Sequence, residues 1–224
     1  MKQINLEELP DNKELFDSFL VTKSKLEGYD PEKIMVAISG GADSDIMLDL
    51  VHRICDGVHY VFFDTGLEYE ATKEHIKYLE KKYDVKIEVE KAKKKIPTTC
   101  KQYGQPFLSK RVSELMERLQ RHGFQWEDEP LDVLLKRYPK CRAALRWWCN
   151  DFPHRKYNIQ ENKWLKEFLI ANPPTFHISN KCCQYAKKDA GKDYKKRNEI
   201  QLSVVGIRKA EGGGSCDNQK LFHA

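Results

Sequence analysis

Residues 33–50 read KIMVAISGGADSDIMLDL, and this stretch predicts a strand, a tight glycine turn and a helix in succession. The apolar run 34–38 is short and does not alternate with polar residues, which is typical of a strand buried on both faces of a parallel sheet. Apolar residues then recur at helical spacing, at Ile46, Met47, Leu50, Val51 and Ile54. The rest of the chain is expected to be organised around this unit.

The turn of this unit is suited to binding an anion. The first N–H groups of a helix lack acceptors within the helix, and the positive end of the helix dipole points toward the turn. Gly40 and Gly41 allow the backbone to approach an oxyanion closely, while the hydroxyls of Ser39 and Ser44 can add hydrogen bonds. Asp43 stands where a capping or metal-facing carboxylate would. A glycine pair by itself also fits an ordinary capped turn of an α/β protein.

In this context, residues 39–44, SGGADS, resemble the SGGxDS loop of the PP-loop ATP pyrophosphatase superfamily. Members of this superfamily hold the triphosphate of ATP and split it between the α and β phosphates. The resemblance implies ATP and Mg²⁺ as cofactors, with the phosphates bound by Ser39, Gly40, Gly41, Asp43 and Ser44. Ala42 departs from the pattern, because many members carry a lysine at that position, so one phosphate contact is lost.

Composition narrows the class of protein. The chain has 224 residues, 40% of them hydrophobic and 33% charged, and no apolar run reaches the roughly 20 residues that span a bilayer, so no membrane partner is expected. Residues 1–16 carry charges where a signal peptide needs an apolar core, which predicts a cytoplasmic protein. Seven cysteines in such a protein favour reduced thiols or metal ligands over disulfides. The net charge of +5 suits a protein that handles polyphosphate and permits nucleic acid as a partner.

The order of predicted elements indicates the fold class. A leading helix within 5–29 and the central unit are followed by a strand at 58–63, a charged helix at 70–83 and a strand at 86–89. Strands and helices that alternate in this way predict an α/β fold with a doubly wound parallel sheet, and the resemblance specifies the Rossmann-like adenine nucleotide alpha hydrolase fold.

The second half of the chain predicts helices until a last strand at 201–207 rejoins the sheet. The helical candidates are residues 109–123, 131–138, 142–150 and 161–171. We therefore expect a single domain over 1–224, with a helical insertion over 97–200. Lys91–Lys101 contains five lysines and no acid, which indicates a solvated loop or an edge that contacts phosphate.

The second strand is followed by Asp64, Thr65 and Gly66. In parallel sheets, ligands bind beyond the carboxyl ends of the strands, so this turn and SGGADS should face the same crevice. Taken alone, Asp-Thr-Gly is an ordinary turn. The segment FFDTGLEYEAT resembles the DTGLE segment of phosphoadenosine phosphosulfate (PAPS) reductase-type members of the superfamily. The resemblance implies that Asp64, Thr65 and Gly66 lie near the ribose and adenine.

Two cysteine-containing segments, RWWC at 146–149 and KCC at 181–183, form a second set of candidates. Tryptophans beside a thiol are ordinarily core, whereas lysines around a Cys-Cys pair favour thiolates that ligate metal or attack sulfur. Both segments resemble the WC and CC elements of bacterial and phage relatives of PAPS reductase, some of which carry an iron–sulfur cluster or zinc. This implies a metal site with Cys149, Cys182 and Cys183, and with Cys141 or Cys216 as a fourth ligand. The spacing of Cys141 and Cys149 matches no standard metal knuckle.

The last predicted strand leads into Arg208 and Glu211. The Arg208 guanidinium suits bidentate contact with phosphate or sulfate, and Glu211 could orient it or help to hold Mg²⁺. The same two residues could also form an exposed ion pair of little energetic consequence. The run VVGIRKAEGG resembles the GIRxxE segment of the family, which implies that Asp43, Ser44, Arg208 and Glu211 are catalytic.

Three functions follow from the resemblance. The first is an enzyme that adenylylates an acceptor with release of pyrophosphate, coupled to sulfur transfer through Cys182 or Cys183, with a nucleic acid or a sulfur-donor protein as partner and a homodimer as the assembly. The second is a thiol-dependent reductase of PAPS or adenosine phosphosulfate. The tail CDNQKLFHA speaks against it, because it lacks the ECGLH-like cysteine element of the reductases. The third is a non-catalytic module that binds a nucleotide or docks a partner.

Overall fold

A computed structural model describes Lys2 and residues 12–207 of the chain. Within this part, four strands form one sheet in the order β3-β2-β1-β4, with all neighbours parallel. The strands are β1 (Ile34–Ile38), β2 (His59–Asp64), β3 (Ile87–Lys91) and β4 (Leu202–Val205). Val36 of β1 is in register with Tyr60 of β2 on one side and Val204 of β4 on the other. The predicted parallel α/β fold is confirmed, with β1 inside the sheet.

The described part also contains ten α-helical segments. They are α1 (Lys13–Leu26), α2 (Ala42–Ile54), α3 (Glu70–Tyr83), α4 (Ile96–Tyr103), α5 (Lys110–Arg121), α6 (Leu131–Arg137), α7 (Arg142–Trp148), α8 (Leu165–Ala171), α9 (Lys181–Cys183) and α10 (Asp189–Arg197). A π-helical segment, Gln184–Lys188, joins α9 to α10. None of the helices described here is long and apolar enough to pass through a membrane.

Most element boundaries lie within a few residues of the prediction, and the exceptions have local causes. The helix predicted within 5–29 begins at Lys13 in the described residues, where the Asn12 side chain accepts a hydrogen bond from the Leu15 N–H. The helix predicted over 161–171 begins only at Leu165, because Trp164 has a positive φ of 67° that helical backbone cannot adopt. Helix α4 and the helical run from 181 to 197 were not predicted.

The chain divides into two compact units. Unit 1 comprises Met1–Lys93 and Ala186–Ala224, and unit 2 comprises Lys94–Tyr185. Unit 1 holds the sheet, and unit 2 is built from helices and loops. Helix α10 belongs to the sheet unit, so the boundary lies at residue 186, whereas the predicted insertion ended at 200. The prediction that 1–224 is a single domain stays a prediction.

The sheet of unit 1 is covered on both faces. On one face, Val36 and Ile38 pack with Met47 and Val51 of α2, and all four side chains are buried. On the other face, Met35 and Val61 pack against Tyr194 of α10. Burying an aliphatic side chain of this size contributes about 1.5–3 kcal/mol, so this strand is a large source of stability. Burial on both faces explains why the sequence of β1 is continuously apolar.

Unit 2 has its own core of aromatic side chains. Trp148 is fully buried and packs edge-on against Phe124 and Trp126, with ring centroids 5.4 and 5.7 Å apart. Its indole Nε1 donates a hydrogen bond to the Glu127 carbonyl at 2.9 Å, which satisfies the buried polar atom. Trp147 is equally buried. Both tryptophans of the RWWC segment are therefore core residues.

A partly buried hydrogen-bond network joins α10 to the sheet. The Tyr194 hydroxyl donates to Glu88 Oε1 at 2.7 Å, and His59 Nδ1 lies 3.0 Å from the same oxygen. Burial alone would raise the pKa of Glu88, but the hydrogen bonds from Tyr194 and His59 hold this pKa below its ordinary value. Burial also raises the pKa of Tyr194, which keeps the phenol protonated as a donor.

Replacing Tyr194 by phenylalanine removes this donor. We expect Tyr194→Phe to lower the free energy of unfolding by about 1 kcal/mol near neutral pH, measured by urea denaturation. Because the pKa of Glu88 is lowered on folding, its contribution is present above the ordinary value of 4.5 and is lost as pH falls through the folded-state pKa. The difference between wild type and variant should therefore shrink in acid. Tyr69→Phe, at an 82% exposed residue, is the control and should change nothing. A difference that persists in acid would contradict the assignment.

Candidate functional site

The predicted phosphate loop lies between β1 and α2. Gly40 has a positive φ of 76°, and Gly41 is the N-cap of α2 without any side chain to cap it. The first intrahelical hydrogen bonds run from the N–H groups of Ser44 and Asp45 to the Gly41 carbonyl, at 2.9 and 3.2 Å. The N–H of Ala42, at the start of the helix, has no acceptor within the helix, as expected at a helix N-terminus. This is the geometry of an anion-binding turn.

The two serines of the loop are linked. The Ser44 hydroxyl is buried and donates to the Gly41 carbonyl at 2.7 Å, and the Ser39 hydroxyl donates to Ser44 Oγ at 3.2 Å. Ser44 therefore stabilises the turn from inside, whereas Ser39 is exposed at its rim. Asp43 is half-buried in the first turn of α2, where the helix dipole favours a negative charge.

Two glycines let other elements approach the loop closely. A Cβ on Gly40 would lie 2.9 Å from Cγ2 of Thr72, which belongs to α3. A Cβ on Gly206, just after β4, would lie 2.5 Å from the Asp43 carbonyl oxygen. Gly206 was not among the predicted site residues, although the GIR resemblance contained it. The loop is therefore packed between α3 and the end of β4.

The turn after β2 reaches the same edge of the sheet, as predicted. Asp64 Oδ1 accepts a hydrogen bond from the Gly66 N–H at 2.8 Å, which is an Asx turn. The buried Thr65 donates its hydroxyl to Glu68 Oε1 at 2.7 Å. Ile38, the last residue of β1, pairs with Phe62 of β2, so the two turns follow neighbouring strands.

A cavity of about 190 Å³ lies at this edge. Its walls include Ser39, Ser44, Phe62, Glu68, Lys187 and Gly206. It combines hydroxyls, an aromatic surface, a carboxylate and one ammonium group, and its size suits a phosphate or a sugar better than a whole nucleotide. The sequence did not single out Glu68 as a site residue, and Lys187 is one of the lysines around the Cys-Cys pair. Lys187 lies on the π-helical segment, and such segments occur frequently at functional sites.

Larger cavities lie elsewhere in unit 1. Two of about 310 and 440 Å³ are both lined by Gly57 and His59, at the amino-terminal edge of the sheet. Ligands of parallel α/β sheets bind at the carboxyl edge, so we take the smaller cavity beside the loop as the candidate site. Arg208 and Glu211, which were predicted to complete it, lie outside the described residues.

A side-chain contact supports the loop from α3. His75 Nε2 lies 2.6 Å from Asp45 Oδ2. Asp45 follows Ser44 in the first turn of α2. The other oxygen of Asp45 is buried and has no hydrogen-bond partner among the described residues. Together with the contact between Thr72 and Gly40, this pair joins α3 to the start of α2. The sequence did not indicate it.

The structure does not bring the three predicted metal-ligating cysteines together. Cys149 lies at the end of α7, where its thiol donates to the Glu129 carbonyl, and Cys141 donates to the Arg118 carbonyl. Cys182 and Cys183 are on α9. In residues 2 and 12–207, no three cysteine, histidine or acidic side chains form a group that could hold a metal ion. The described cysteines therefore do not fit an iron–sulfur or zinc site. Cys216 lies outside this part, and the metal stays a prediction.

The thiols also differ from the expected thiolates. Burial raises the pKa of Cys149, and burial together with the adjacent Cys183 raises that of Cys182. The flanking lysines do not outweigh this effect at Cys182, so both thiols are protonated at neutral pH. Cys183 is exposed and is the accessible thiol of the pair.

Comparison with known proteins agrees with this geometry. Residues 33–125 match the phosphoadenosine phosphosulfate reductase domain. Over 70 residues, the chain is 37% identical to adenosine 5'-phosphosulfate reductase 2 of Bacillus subtilis. This match covers 31% of this chain and 29% of the relative. Residues 33–125 therefore form a PAPS reductase-like domain. The predicted family is thereby confirmed, and it is generally a family of enzymes.

Two proteins of Methanocaldococcus jannaschii, both named only as uncharacterized, are also similar to this PAPS reductase-like chain. One is 30% identical over 153 residues, covering 66% of this chain and 29% of the relative. The other is 38% identical over 60 residues, covering 27% of this chain and 15% of the relative. The matches thus span less than a third of each of the three relatives' length.

The packing of this PAPS reductase-like loop can be tested at Gly40. We expect Gly40→Ala to lower the free energy of unfolding by more than about 1–2 kcal/mol, because a left-handed backbone strains alanine and the new Cβ meets Thr72. Thr72→Ser removes the colliding methyl, so the double variant should regain the part due to the collision.

Gly123→Ala is the matched control in urea denaturation. Its φ is +71° and no atom lies within 4 Å of the added Cβ, so it reports the backbone strain alone. If Gly40→Ala and Gly123→Ala cost the same, or if Thr72→Ser restores nothing, α3 does not pack against the loop as described.

Proposed function

We propose that this PAPS reductase-like protein binds ATP with Mg²⁺ and adenylylates an acceptor with release of pyrophosphate. The observation that carries the proposal is the cavity at the carboxyl edge, which joins the hydroxyls of the SGGADS loop to the ammonium of Lys187 and to Glu68. A helix N-terminus with a cation beside it suits a phosphate chain. The family resemblance supplies the bond that is cleaved, between the α and β phosphates.

The phosphates would be bound mainly by the backbone. N–H groups at the start of α2 and the Ser39 hydroxyl would donate to phosphate oxygens, and Lys187 would supply the positive charge. In this proposal, Lys187 takes the place of the lysine that many members carry at the position of Ala42. The positive charge beside the phosphates then comes from the π-helical segment and not from the loop itself.

Asp43 would hold Mg²⁺ together with phosphate oxygens. Magnesium is commonly bound by one or two carboxylates plus substrate phosphates, so the absence of a larger acidic group among the described residues is compatible with it. When bound there, Mg²⁺ would supply positive charge that offsets the charge developing on the phosphates. Arg208 and Glu211 are proposed to close the site. Asp64, Thr65 and Gly66 are proposed to contact the nucleoside, with Phe62 and Phe63 as apolar surface.

The chemical step is a displacement at the α phosphorus. An acceptor oxygen or sulfur forms a bond to that phosphorus, the bond to the β-phosphate oxygen breaks, and pyrophosphate leaves with its electron pair. The protein would act by positioning the two groups in line and by stabilising negative charge with fixed donors. We further propose a later sulfur transfer, in which a sulfur-donor protein passes the outer sulfur of its persulfide to the accessible thiol of Cys183 and leaves as a thiol. The Cys183 persulfide would then attack the adenylylated acceptor and displace AMP. Cys182 would free the transferred sulfur by forming a disulfide with Cys183, which an external thiol would reduce.

Pyrophosphate release tests the proposal directly. Water is a weak acceptor, so we expect slow, Mg²⁺-dependent formation of AMP and pyrophosphate from ATP by the wild-type chain. Asp43→Asn keeps the size of the side chain but removes its charge, and should reduce the rate by about 100-fold or more. Asp49→Asn, on the same helix but away from the loop, is the control. No pyrophosphate from wild type, or an unchanged rate in Asp43→Asn, would refute the proposal.

Lys187 gives a second test, through binding. We expect Lys187→Gln to weaken ATP binding in calorimetry by about 10-fold, as for the loss of one charge-assisted contact. Ala42→Lys in that background restores the usual loop lysine and should regain part of the affinity. Lys192→Gln, at an exposed residue of α10, removes the same charge as a control and should have little effect. If both lysine variants weaken binding equally, Lys187 has no specific role.

A second candidate is a thiol-dependent reductase of PAPS or adenosine phosphosulfate. It is favoured by the similarity to a Bacillus subtilis protein named as an adenosine 5'-phosphosulfate reductase. A phosphosulfate would occupy the same anion-binding turn as a polyphosphate. Formation of sulfite with a dithiol donor, without pyrophosphate release from ATP, would favour this reaction. Nucleotide binding without either product would favour a non-catalytic module.

A further inference from the structure

Positive charge is concentrated in one stretch of the chain. Residues 91–113 contain seven lysines and arginines and no acidic residue. Since the whole chain carries a net charge of +5, all the other residues together carry a net charge of −2. The candidate ATP site uses none of these seven cations. Lys94 and the residues after it in this stretch belong to unit 2.

Most of these cations have no counter-ion among residues 2 and 12–207. In the described part of the chain, only Lys93 of the seven has a carboxylate within ion-pair distance, that of Asp193 at 2.6 Å. Elsewhere, pairing with an acid is common, as in Lys33 with Glu199 and Arg146 with Asp151. An accumulation of unpaired positive charge attracts a polyanion to the surface that carries it.

Two lysines of unit 2 are held by aromatic rings. The Lys94 ammonium donates a hydrogen bond to the Tyr103 hydroxyl at 2.6 Å and lies 4.8 and 5.0 Å from the ring centroids of Tyr103 and Tyr185. The Lys181 ammonium lies 4.8 Å from the Tyr103 centroid. The two rings are stacked, with centroids 5.2 Å apart and planes 22° apart. We call Lys94, Tyr103, Lys181 and Tyr185 the lysine–tyrosine surface.

This arrangement orders the ammonium groups without neutralising them. Cation–π contacts fix the position of a cation while its full charge remains available to an anion. The hydrogen bond from Lys94 lowers the pKa of Tyr103 and raises that of Lys94, so the ammonium stays charged at neutral pH. Long side chains that are already ordered lose less entropy when they contact a ligand. Lys95 and Lys101, both exposed, extend the charge along α4 and the residue before it.

We propose that the lysine–tyrosine surface binds single-stranded nucleic acid. The ammonium groups of Lys94 and Lys181 contact backbone phosphates, and the half-buried Tyr103 and Tyr185 offer ring surface to an unstacked base. Cations interleaved with aromatic rings are the combination used for single strands, whereas a duplex hides the faces of its bases. A merely solvated basic face would bind any polyanion and would not depend on the rings.

The test is fluorescence anisotropy of labelled single strands of about 16 nucleotides, one RNA and one DNA, titrated with the full chain over a salt series. Lys94→Gln/Lys181→Gln should weaken binding and reduce the slope of log K against log salt by about 1.4, two contacts at about 0.7 each. Lys136→Gln/Lys140→Gln removes the same charge from exposed residues of unit 2, where no ring contact or ion pair is described, and should leave the slope unchanged.

The tyrosines give an independent readout. Tyr185→Leu should weaken binding about five-fold or more with little change in slope, because it removes stacking and no charge, while Tyr185→Phe should keep wild-type affinity. Urea denaturation of each variant identifies loss by unfolding, and Tyr185→Phe decides the case if Tyr185→Leu is unfolded. Whichever of RNA and DNA binds more tightly identifies the strand. The proposal would be overturned if both lysine pairs weakened binding equally. It would also be overturned if duplex bound as tightly as single strand, or if no strand bound at low salt.

The assay contains no ATP, so it does not depend on the proposed adenylylation. A chain that binds the strand but releases no pyrophosphate would keep this inference and lose the proposed function. A chain that releases pyrophosphate but binds no strand would do the reverse.

Discussion

The close packing of the predicted phosphate loop is the constraint on which the structure of unit 1 depends. The loop has no room for a side chain at Gly40, because Thr72 of α3 lies close to it. There is also no room for a side chain at Gly206, because the Asp43 carbonyl lies against this residue. Both contacts involve the start of α2, which directly follows an inner strand of the sheet. The orphan N–H groups of α2 are therefore fixed at the carboxyl edge, and a bound anion would meet donors that are already in place.

The charges around the loop complement one another. Asp43 and Asp45 place carboxylates in the first turn of α2, where the dipole favours them, and His75 holds one of them. A site with only acids would repel a polyphosphate. Lys187 supplies the opposite sign from a distant part of the sequence, and it lines the cavity together with the carboxylate of Glu68.

The sequence was most informative where a local pattern decides the structure. The continuous apolar run of β1, the glycines after it and the helical spacing of α2 were all predicted, because burial on both faces and dihedral freedom leave a direct trace in residue type. The contacts of Gly206 and Lys187 join residues more than a hundred positions apart, and no local pattern encodes them. Cys149 was grouped with the Cys-Cys pair by resemblance, whereas the structure places it beside the buried indoles of unit 2.

Lys187 lies on the π-helical segment Gln184–Lys188, which no local pattern of the sequence predicted. One extra residue in a helical turn rotates every later side chain by about 100°, so a face assigned by regular 3.6-residue spacing before the segment does not continue after it. The chain also passes from unit 2 to unit 1 within this segment, between Tyr185 and Ala186. Lys181 and Lys187 are six residues apart and belong to different units. One holds its charge over a tyrosine ring, and the other lines the cavity beside the phosphate loop. If both proposals hold, one short basic run serves two different anions.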